Sequence, residues 1–277
     1  MTVLDLLTVD QQTCDQDGLC SAICPAGLID FTKGSFPEAI LEADELCIRC
    51  GHCITVCPHG SLKHKDMHIE QCTPVREDLL LSATQTEQFL KGRRSIRTYR
   101  QKQVSRETLE KLLDVARYAP SGHNSQGVRW LVVGQQEELH HLSGIVADWM
   151  RYMIDTMPEF SLGMHLDKTL ERWEQGVDVI LRGAPTVVVA YGEKDNRMAP
   201  ASCTIALTYL ELAAAGMGLG CCWAGYFNAA ASTFPKMKEA LALPDGHQSF
   251  GAMMVGYPKF QYKHIPLRQS PDITWRL

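Results

Sequence analysis

The sequence predicts an α+β fold in which a small cysteine-rich domain precedes a larger domain built on one central sheet. Of the 277 residues, 45% are hydrophobic and 21% are charged, which is enough apolar surface for one substantial core. Eight of the eleven cysteines precede residue 73. Beyond residue 84, short apolar runs of strand length alternate with long amphipathic helical patterns. We therefore expect two domains, residues 1-72 and 84-277.

The charged residues are divided unevenly between the two parts of the chain. Residues 1–80 contain 13 acidic and 5 basic side chains, whereas residues 81–277 contain 19 acidic and 22 basic ones. Neither balance favours binding to nucleic acid, because neither part is strongly basic. The opening stretch MTVLDLLTVD lacks the basic and apolar regions of an export signal, so we expect a cytoplasmic protein.

The cysteine-rich domain contains two related runs. CIRCGHCITVCP at 47–58 has the spacing C-x2-C-x2-C-x3-C-P, and CDQDGLCSAICP at 14–25 repeats it with Asp17 in place of one cysteine. In a reducing cytosol such spacing indicates a metal site rather than disulfides. A structural zinc site usually takes two CxxC pairs, whereas this spacing is typical of iron-sulfur clusters. We predict that the ligands are Cys14, Asp17, Cys20, Cys24, Cys47, Cys50, Cys53 and Cys57.

This part of the chain resembles the bacterial two-cluster ferredoxins. Their cross-over pattern implies that Cys24 joins the 4Fe-4S cluster of Cys47, Cys50 and Cys53, while Asp17 joins the cluster of Cys14, Cys20 and Cys57. A carboxylate is a harder and less electron-donating ligand than a thiolate. The second cluster could therefore be a labile 4Fe-4S centre or a 3Fe-4S centre. The alternative is that Asp17 is a solvated turn residue and three cysteines hold the iron.

The larger domain shows helical and strand patterns in alternation. SRETLEKLLDVARYA at 105–119 predicts an amphipathic helix with Ser105 as its N-cap. The long apolar stretch at 199–225 predicts a buried core helix rather than a membrane span, because it contains Glu211 and ends in glycines. The polar residues 63–83 predict a linker. Strands are predicted for WLVVG (130–134), TVVVAYG (186–192) and GAMMVGY (251–257).

Three motifs in this domain have the side chains that a phosphorylated, flat cofactor needs. KGRRSIRTYR at 91–100 combines arginine forks with a serine hydroxyl, which suits a phosphate monoester. APSGHNSQGVRW at 119–130 forms a tight turn whose amide side chains suit the polar edge of a heterocycle. GLGCCWAGY at 218–226 has glycines that let backbone approach a ring. His123 is interpreted as structural, and no side chain is assigned a catalytic role.

RRSIR, APSGHNSQ, GLGCCWAG and VGYPK, in this order, resemble the FMN-dependent nitroreductase family over about residues 84–277. The resemblance implies a nitroreductase-like FMN-binding sandwich and a homodimer with FMN at the subunit interface. It implies phosphate and ribityl contacts from Arg93, Arg94, Ser95 and Arg97. It implies flavin contacts from the other subunit by Pro120, Ser121, Gly122 and Asn124. It further implies that the segment Cys222, Trp223, Ala224 and Gly225 lies beside the isoalloxazine ring. It implies phosphate contacts from Lys263 and Arg268.

Together the two parts predict an iron-sulfur flavoprotein oxidoreductase. Electrons would pass from 4Fe-4S clusters to FMN and on to a small electron-poor acceptor such as a nitro compound or a quinone. The donor would be a ferredoxin-type protein or NAD(P)H. The alternative is a redox sensor or electron carrier that acts on a partner protein, and steady turnover of acceptors would favour the enzyme.

Overall fold

The computed structural model describes residues 6–277, which form two compact units. One unit comprises the residues up to Leu80 together with His123–Ser125, and the other comprises Leu81–Gly122 and Gln126–Leu277. The division at Leu80 falls between the predicted limits 72 and 84. The first five residues of the opening stretch interpreted as lacking an export signal lie outside the described residues.

Within residues 6–80, the first unit contains two small antiparallel sheets and three short α-helices. The elements are β1 Leu7–Val9, α1 Leu19–Ile23, β2 Ile29–Asp30, β3 Glu38–Ala39, α2 Ala43–Leu46, α3 His52–Thr55 and β4 Leu62–His64. Strand β1 pairs with β4, with Leu7 opposite His64, and β2 pairs with β3, with Ile29 opposite Ala39.

The two cysteine runs fold alike, as their sequence repeat suggests. Helices α1 and α3 each follow a glycine with positive φ, at +74° for Gly18 and +75° for Gly51. A Cβ on Gly18 would lie 2.5 Å from the Phe31 ring, and one on Gly51 would lie 2.8 Å from the Met67 sulfur. Both positions therefore favour glycine for their backbone conformation, and Gly18 also for the space beside the Phe31 ring.

The predicted linker begins too early, because Lys63 and His64 belong to β4. Leu62 and His64 are both buried, and the alternation of buried and exposed side chains is that of a half-buried strand. Because this stretch is rich in polar residues, its sequence pattern did not predict the strand. Short 3-10 turns follow at Ile69–Gln71 and Glu77–Leu79.

The second unit is built on one four-stranded antiparallel sheet, with strands β5 Arg129–Val133, β6 Thr186–Glu193, β7 Gly220–Trp223 and β8 His247–Gly256. Their order across the sheet is β5-β6-β8-β7. The helices are α4 Ala83–Gly92, α5 Arg106–Ala116, α6 Gln136–Thr156, α7 Pro158–Gly163, α8 Leu166–Glu174, α9 Ala199–Gly216, α10 Gly225–Thr233 and α11 Pro235–Leu241.

Helices cover both faces of this sheet. Val187 and Val189 of β6 belong to an apolar cluster with α6, α8, α10 and α11, whereas Val188 and Ala190 belong to a second cluster with α5 and α9. Alternation along β7 likewise places Cys222 in the first cluster and Cys221 in the second. The two adjacent cysteines therefore lie on opposite faces of the sheet.

Most of the predicted elements of this unit are confirmed. Ser105 caps α5 by accepting a hydrogen bond from the Thr108 amide at 3.2 Å, and the three predicted strands are β5, β6 and β8. Helix α9 is a core helix, with Glu211 only 7% exposed. Among residues 6–277, no helix is both long enough and apolar enough to cross a bilayer. Strand β7 was not predicted, because its glycines and cysteines lack a strand pattern.

Candidate functional site

Four of the predicted ligands in the first unit line one cavity. Pro37, Asp15 and His59 also line it, and the side chains of Asp15 and His59 are joined by an Oδ2–Nε2 contact of 2.6 Å. Although Cys57 is at the end of the second run, it lies with the first. The four predicted ligands are Cys14, Asp17, Cys20 and Cys57.

The other four cysteines form a separate group. Burial first, and then the nearby Cys50, Cys24 and Cys47, raise the pKa of the Cys53 thiol to about 11. Burial likewise raises the pKa of Cys20, whose charged neighbours are Asp17 and Cys14. The two groups that the fold assembles are thus the same two sets that the cross-over pattern implied.

Backbone amides point at the sulfur atoms of several of these cysteines. The Leu28 amide donates to Cys24 Sγ at 3.4 Å, the Arg49 amide donates to Cys47 Sγ at 3.4 Å, and the Ser61 amide donates to Cys57 Sγ at 3.3 Å. Burial acts to raise the pKa of Cys57, but hydrogen bonds from backbone amides hold it below its usual value. Such amides favour a charged thiolate, the form that binds metal.

Sequence reasoning did not identify His64 as a neighbour of the group formed by Cys24, Cys47, Cys50 and Cys53. It is 3% exposed, and its Nδ1 accepts from the Asp66 amide at 3.0 Å, so its proton is on Nε2. Nε2 lies 3.6 Å from Cys47 Sγ and donates toward it. Burial lowers the pKa of His64, which favours the neutral form of the ring.

Asp17 has a role in the local fold as well as a place in the cavity. Its Oδ1 accepts a hydrogen bond from the Leu19 amide at 3.0 Å at the start of α1, and its side chain is exposed. This is a turn-stabilising contact of the kind that aspartate commonly makes. It uses one carboxylate oxygen, so the turn role does not exclude a ligand role for the other.

The donor set of the first unit fits iron-sulfur clusters. Seven thiols are divided between two groups, and thiolates are the soft ligands that such clusters take. Amide N–H groups directed at sulfur are among the features that set cluster potentials. The residues present would therefore hold two clusters.

In the second unit, the RRSIR motif runs along the edge of β7. The Ile96 amide donates to the Cys221 carbonyl at 2.8 Å, which fixes the motif against the strand. Arg93 and Arg94 line a cavity of about 490 Å³ on the α9 side, whereas Arg97 lines a cavity of about 250 Å³ with Cys222. The structure therefore divides the predicted phosphate-binding arginines between two cavities, and Ser95 between them is half-buried.

Arg93 already has a carboxylate partner. Its Nη1 lies 2.7 Å from Oε1 of Glu211, which is buried in the middle of α9. The only sequence signal for this pair was a single acidic residue in an apolar helix, and 118 residues separate the partners. Arg94 stacks over the Tyr262 ring, with its guanidinium carbon 5.3 Å from the ring centre.

The predicted ring-side residues lie beside Arg97. Cys222, Trp223 and Gly225 line the same cavity as its guanidinium. Ala224 is buried directly behind them, and its amide donates to the Ala252 carbonyl at 2.9 Å. A Cβ added to Gly225 would meet no other atom within 4 Å, so the space in front of it is open.

The predicted flavin loop does not line either of these cavities. Ser121 Oγ accepts from the Gln126 amide at 2.9 Å, and Pro120 is exposed. Within the first unit, Asn124 Nδ2 donates to the carbonyls of Ile48 and Arg49, each at 3.0 Å. The contact of Gly122, Asn124 and their neighbours with flavin of the other subunit stays a prediction.

The backbone of this loop is strained. His123, Asn124 and Gln126 have φ angles of +51°, +51° and +49°, which residues with side chains rarely adopt. Such strain is concentrated at functional sites in proteins, because only a surrounding structure selected for it will hold it. A functional role for the loop is a hypothesis that this geometry supports.

Lys263 and Arg268, predicted to contact phosphate, are exposed in the irregular segment that follows β8. Neither residue lines the two cavities, and the nearest lining residue along the chain is Tyr262. Their phosphate contacts stay a prediction.

The second unit fits a phosphorylated planar cofactor. Arginine forks and the Ser95 hydroxyl lie next to a strand end with an open glycine face, and one adjoining cavity is large enough for a small-molecule ligand. The arginines supply charge-assisted donors for phosphate. The open face at Gly225 offers room for a ring beside Trp223.

Comparison with known families matches both units. A family model described as the nitroreductase family matches residues 90–257, and one described as a 4Fe-4S dicluster domain matches residues 13–61. The first match covers more than half of the chain. The second covers the two cysteine runs and most of the first unit.

Individual proteins resemble the larger unit. A protein of Archaeoglobus fulgidus, provisionally named an NADH dehydrogenase/NAD(P)H nitroreductase, is 28% identical over 171 residues, 60% of this chain and 82% of its own. A nitroreductase of Bacteroides fragilis with bound FMN has a TM-score of 0.58 at 23% identity, covering 69% of this chain and 98% of its own. A nitroreductase of Desulfitobacterium hafniense with bound FMN has a TM-score of 0.54 at 24% identity, covering 69% and 97%.

Proposed function

The chain belongs to the nitroreductase family, and from that premise we propose that it takes electrons into its N-terminal 4Fe-4S domain and delivers them to a small electron-poor acceptor from FMN in the larger unit. The observation that carries the proposal is the joining of two redox-type ligand sets in one chain. Seven cysteines are divided into two thiol groups in the first unit, and an arginine-rich motif borders an open strand end in the second.

When bound, the clusters supply one-electron transfer and FMN supplies exchange between one-electron donors and two-electron acceptors. The side chains of the chain bind and orient these groups. Arg97 and Ser95 would hold the phosphate end, and Trp223 would lie beside the ring. Two electrons and two protons then convert a nitro group to a nitroso group and water, or a quinone to a hydroquinone.

The choice of FMN as the flavin has several supports. The Arg and Ser donors suit a phosphate monoester, and the open face at Gly225 suits a ring. Two structures of similar fold are described with bound FMN. We propose that the flavin lies between two subunits, with Pro120, Ser121, Gly122 and Asn124 supplied by the partner chain.

Anaerobic purification with iron, sulfide and flavin counts tests this proposal first. We expect about eight iron atoms and about one FMN per chain, with acceptor reduction when a reduced ferredoxin or NAD(P)H is supplied. A colourless preparation without iron would contradict the cluster assignment. Full cofactor content with only slow acceptor reduction, together with a redox-dependent protein partner, would favour the electron-carrier alternative.

Replacing Asp17 by Cys is expected to make the two clusters comparably resistant to air. In the wild type, a carboxylate oxygen donates less charge to iron and exchanges more readily than a thiolate, so the cluster of Cys14, Cys20 and Cys57 should lose iron first. Electron paramagnetic resonance spectra of the anaerobically prepared wild type and variant, recorded before and after brief exposure to air, would reveal the three-iron form.

Asp15→Asn is the matched control, because Asp15 lines the same cavity but pairs with His59. That variant should retain the unequal decay of the wild type. If D17C also decays unequally, the fourth ligand does not set the lability and Asp17 acts only in the turn.

A further inference from the structure

A second cavity adjoins the one that Arg97 and Cys222 line, and the shared wall consists of Val179, Arg182 and Tyr226. The two cavities have volumes of about 250 and 310 Å³. Joined, they lie within the range of about 300–1,000 Å³ that small-molecule sites occupy. We call this joined space the basic cavity; its polar lining residues are Arg97, His165, Lys168, Thr169, Arg172 and Arg182 together with Tyr226.

The charge of the basic cavity is of one sign. Four of its lining side chains are cationic, and no Asp or Glu is among the residues that line it. Among the ion pairs of residues 6–277, none includes Arg97, Lys168, Arg172 or Arg182. Like charges around one cavity repel one another, so an anion within it would relieve that repulsion.

A capped turn positions one of these cations, Arg182. Asp178 accepts three backbone hydrogen bonds, from the amides of Ile180, Leu181 and Gly183 at 2.8 to 3.1 Å. The turn that results presents Arg182 with a φ of +59°. The carboxylate of Asp178 is thus occupied as a turn cap. It forms no ion pair with Arg182, which lines the cavity.

Two further features indicate a binding surface. His165, which precedes the first residue of α8, has a φ of +53°, so two lining residues of the cavity, His165 and Arg182, have strained backbone. On α8, Lys168 and Arg172 are four residues apart and share one helical face. On that helix Glu174 pairs instead with Arg151, and Glu171 accepts from Gln175.

The positive charges of Arg97 and Arg182 both influence the thiol of Cys222. Burial raises the pKa of Cys222, while the charges of these two guanidiniums oppose that rise. The cations of the basic cavity therefore reach as far as the strand end where the ring of the proposed flavin would lie.

We propose that the basic cavity binds the anionic group, a carboxylate, sulfonate or phosphate, of the organic acceptor that the enzyme reduces. The inference rests on the proposed function, because it assigns the substrate class of the same site. Arg182 and the α8 pair Lys168 and Arg172 would hold the anion. The electron-poor end of the acceptor would point toward Trp223 and Gly225.

Equilibrium dialysis of the anaerobically purified full chain against 4-nitrobenzoate and 4-nitrobenzamide tests the inference. The two probes are similar in size and differ in charge. We expect the anion to bind at least about tenfold more tightly at low salt, with the advantage shrinking as KCl screens the cations. Equal affinity for the two probes in the wild type would overturn the inference.

The double variant Lys168→Gln and Arg172→Gln is expected to reduce the anion preference by about tenfold, and Arg182→Gln is expected to reduce it as well. Lys168 and Arg172 are exposed on α8, so the fold should tolerate their replacement. The control is R106Q with K111Q, which removes the same charge from α5 on the other face of the sheet. A control that lowers the preference equally would mean a general charge effect and would refute the site.

Flavin content and turnover separate the remaining explanations. If K168Q/R172Q loses flavin, the cavity holds the flavin phosphate and not the acceptor, which overturns the inference. Turnover of 4-nitrobenzamide by the wild type is a separate measurement. Its absence would count against the proposed function, while the dialysis ratio would still decide whether the cavity selects anions.

Discussion

Replacing Cys24 by Ala is expected to remove the cluster formed mainly by Cys47, Cys50 and Cys53, with a loss of about four of about eight iron atoms per chain. Cys24 lies among those three thiols in the structure, although it belongs to the first cysteine run. Without Cys24 this cluster has an open iron site and no neighbouring carboxylate at the position that Asp17 has in the other cluster, so we expect it to lose its iron during purification. Iron and sulfide counts after anaerobic preparation measure the loss.

Cys72→Ala is the matched control, because Cys72 is a half-exposed thiol whose sulfur has one polar contact among residues 6–80, with the His68 carbonyl at 3.6 Å. That variant should keep all of its iron. The cluster that remains in C24A should convert to a three-iron form in air, whereas the one that remains in Cys20→Ala should resist. The reverse assignment would contradict the cross-over.

Replacing both Arg93 and Arg97 by Ala is expected to weaken flavin binding by on the order of a hundredfold or more. The resemblance implies that both arginines contact the phosphate or the ribityl chain of FMN, and a charge-assisted hydrogen bond of this kind is worth about 1.5–3 kcal/mol. Flavin released on gel filtration, measured by absorbance against total protein, reports the effect. Full flavin occupancy in the double variant would refute the phosphate-binding role.

The loss of Arg93 also leaves the Glu211 carboxylate without its partner, which can destabilise the fold by itself. Two comparisons separate the effects. R106A with R117A removes two exposed arginines of the α5 region and should keep flavin and thermal stability. R97A alone leaves the Arg93–Glu211 pair intact and should weaken flavin binding without lowering the melting temperature of the flavin-free protein.

The sequence predicted the parts of the sites that depend on local spacing. The cysteine runs, the α5 helix with its Ser105 cap and the three apolar strands each repeat a short pattern, and each is present in the structure. The uneven distribution of cysteine likewise predicted a small cysteine-rich part before a larger one. The family match covers both motif-bearing regions.

Contacts between parts of the chain that are distant in sequence could not be predicted from the sequence. Glu211 pairs with Arg93, 118 residues earlier, and His64 approaches Cys47 from strand β4, the end of which the sequence pattern predicted as linker. The basic cavity combines Arg97, α8 and the turn at Arg182, which no single motif connects. In each case the side chains look like ordinary surface or core residues until the sheet brings them together.

In the proposed function, electrons from the N-terminal domain leave through the flavin. Anaerobic rapid mixing of stoichiometrically reduced protein with 4-nitrobenzamide tests this, with reoxidation of the cluster absorbance followed in the wild type and in flavin-free R93A/R97A. We expect the cluster band to recover in the wild type and to stay reduced in the flavin-free variant, with recovery restored by added FMN at saturating concentration. Equal reoxidation rates with and without flavin would contradict it.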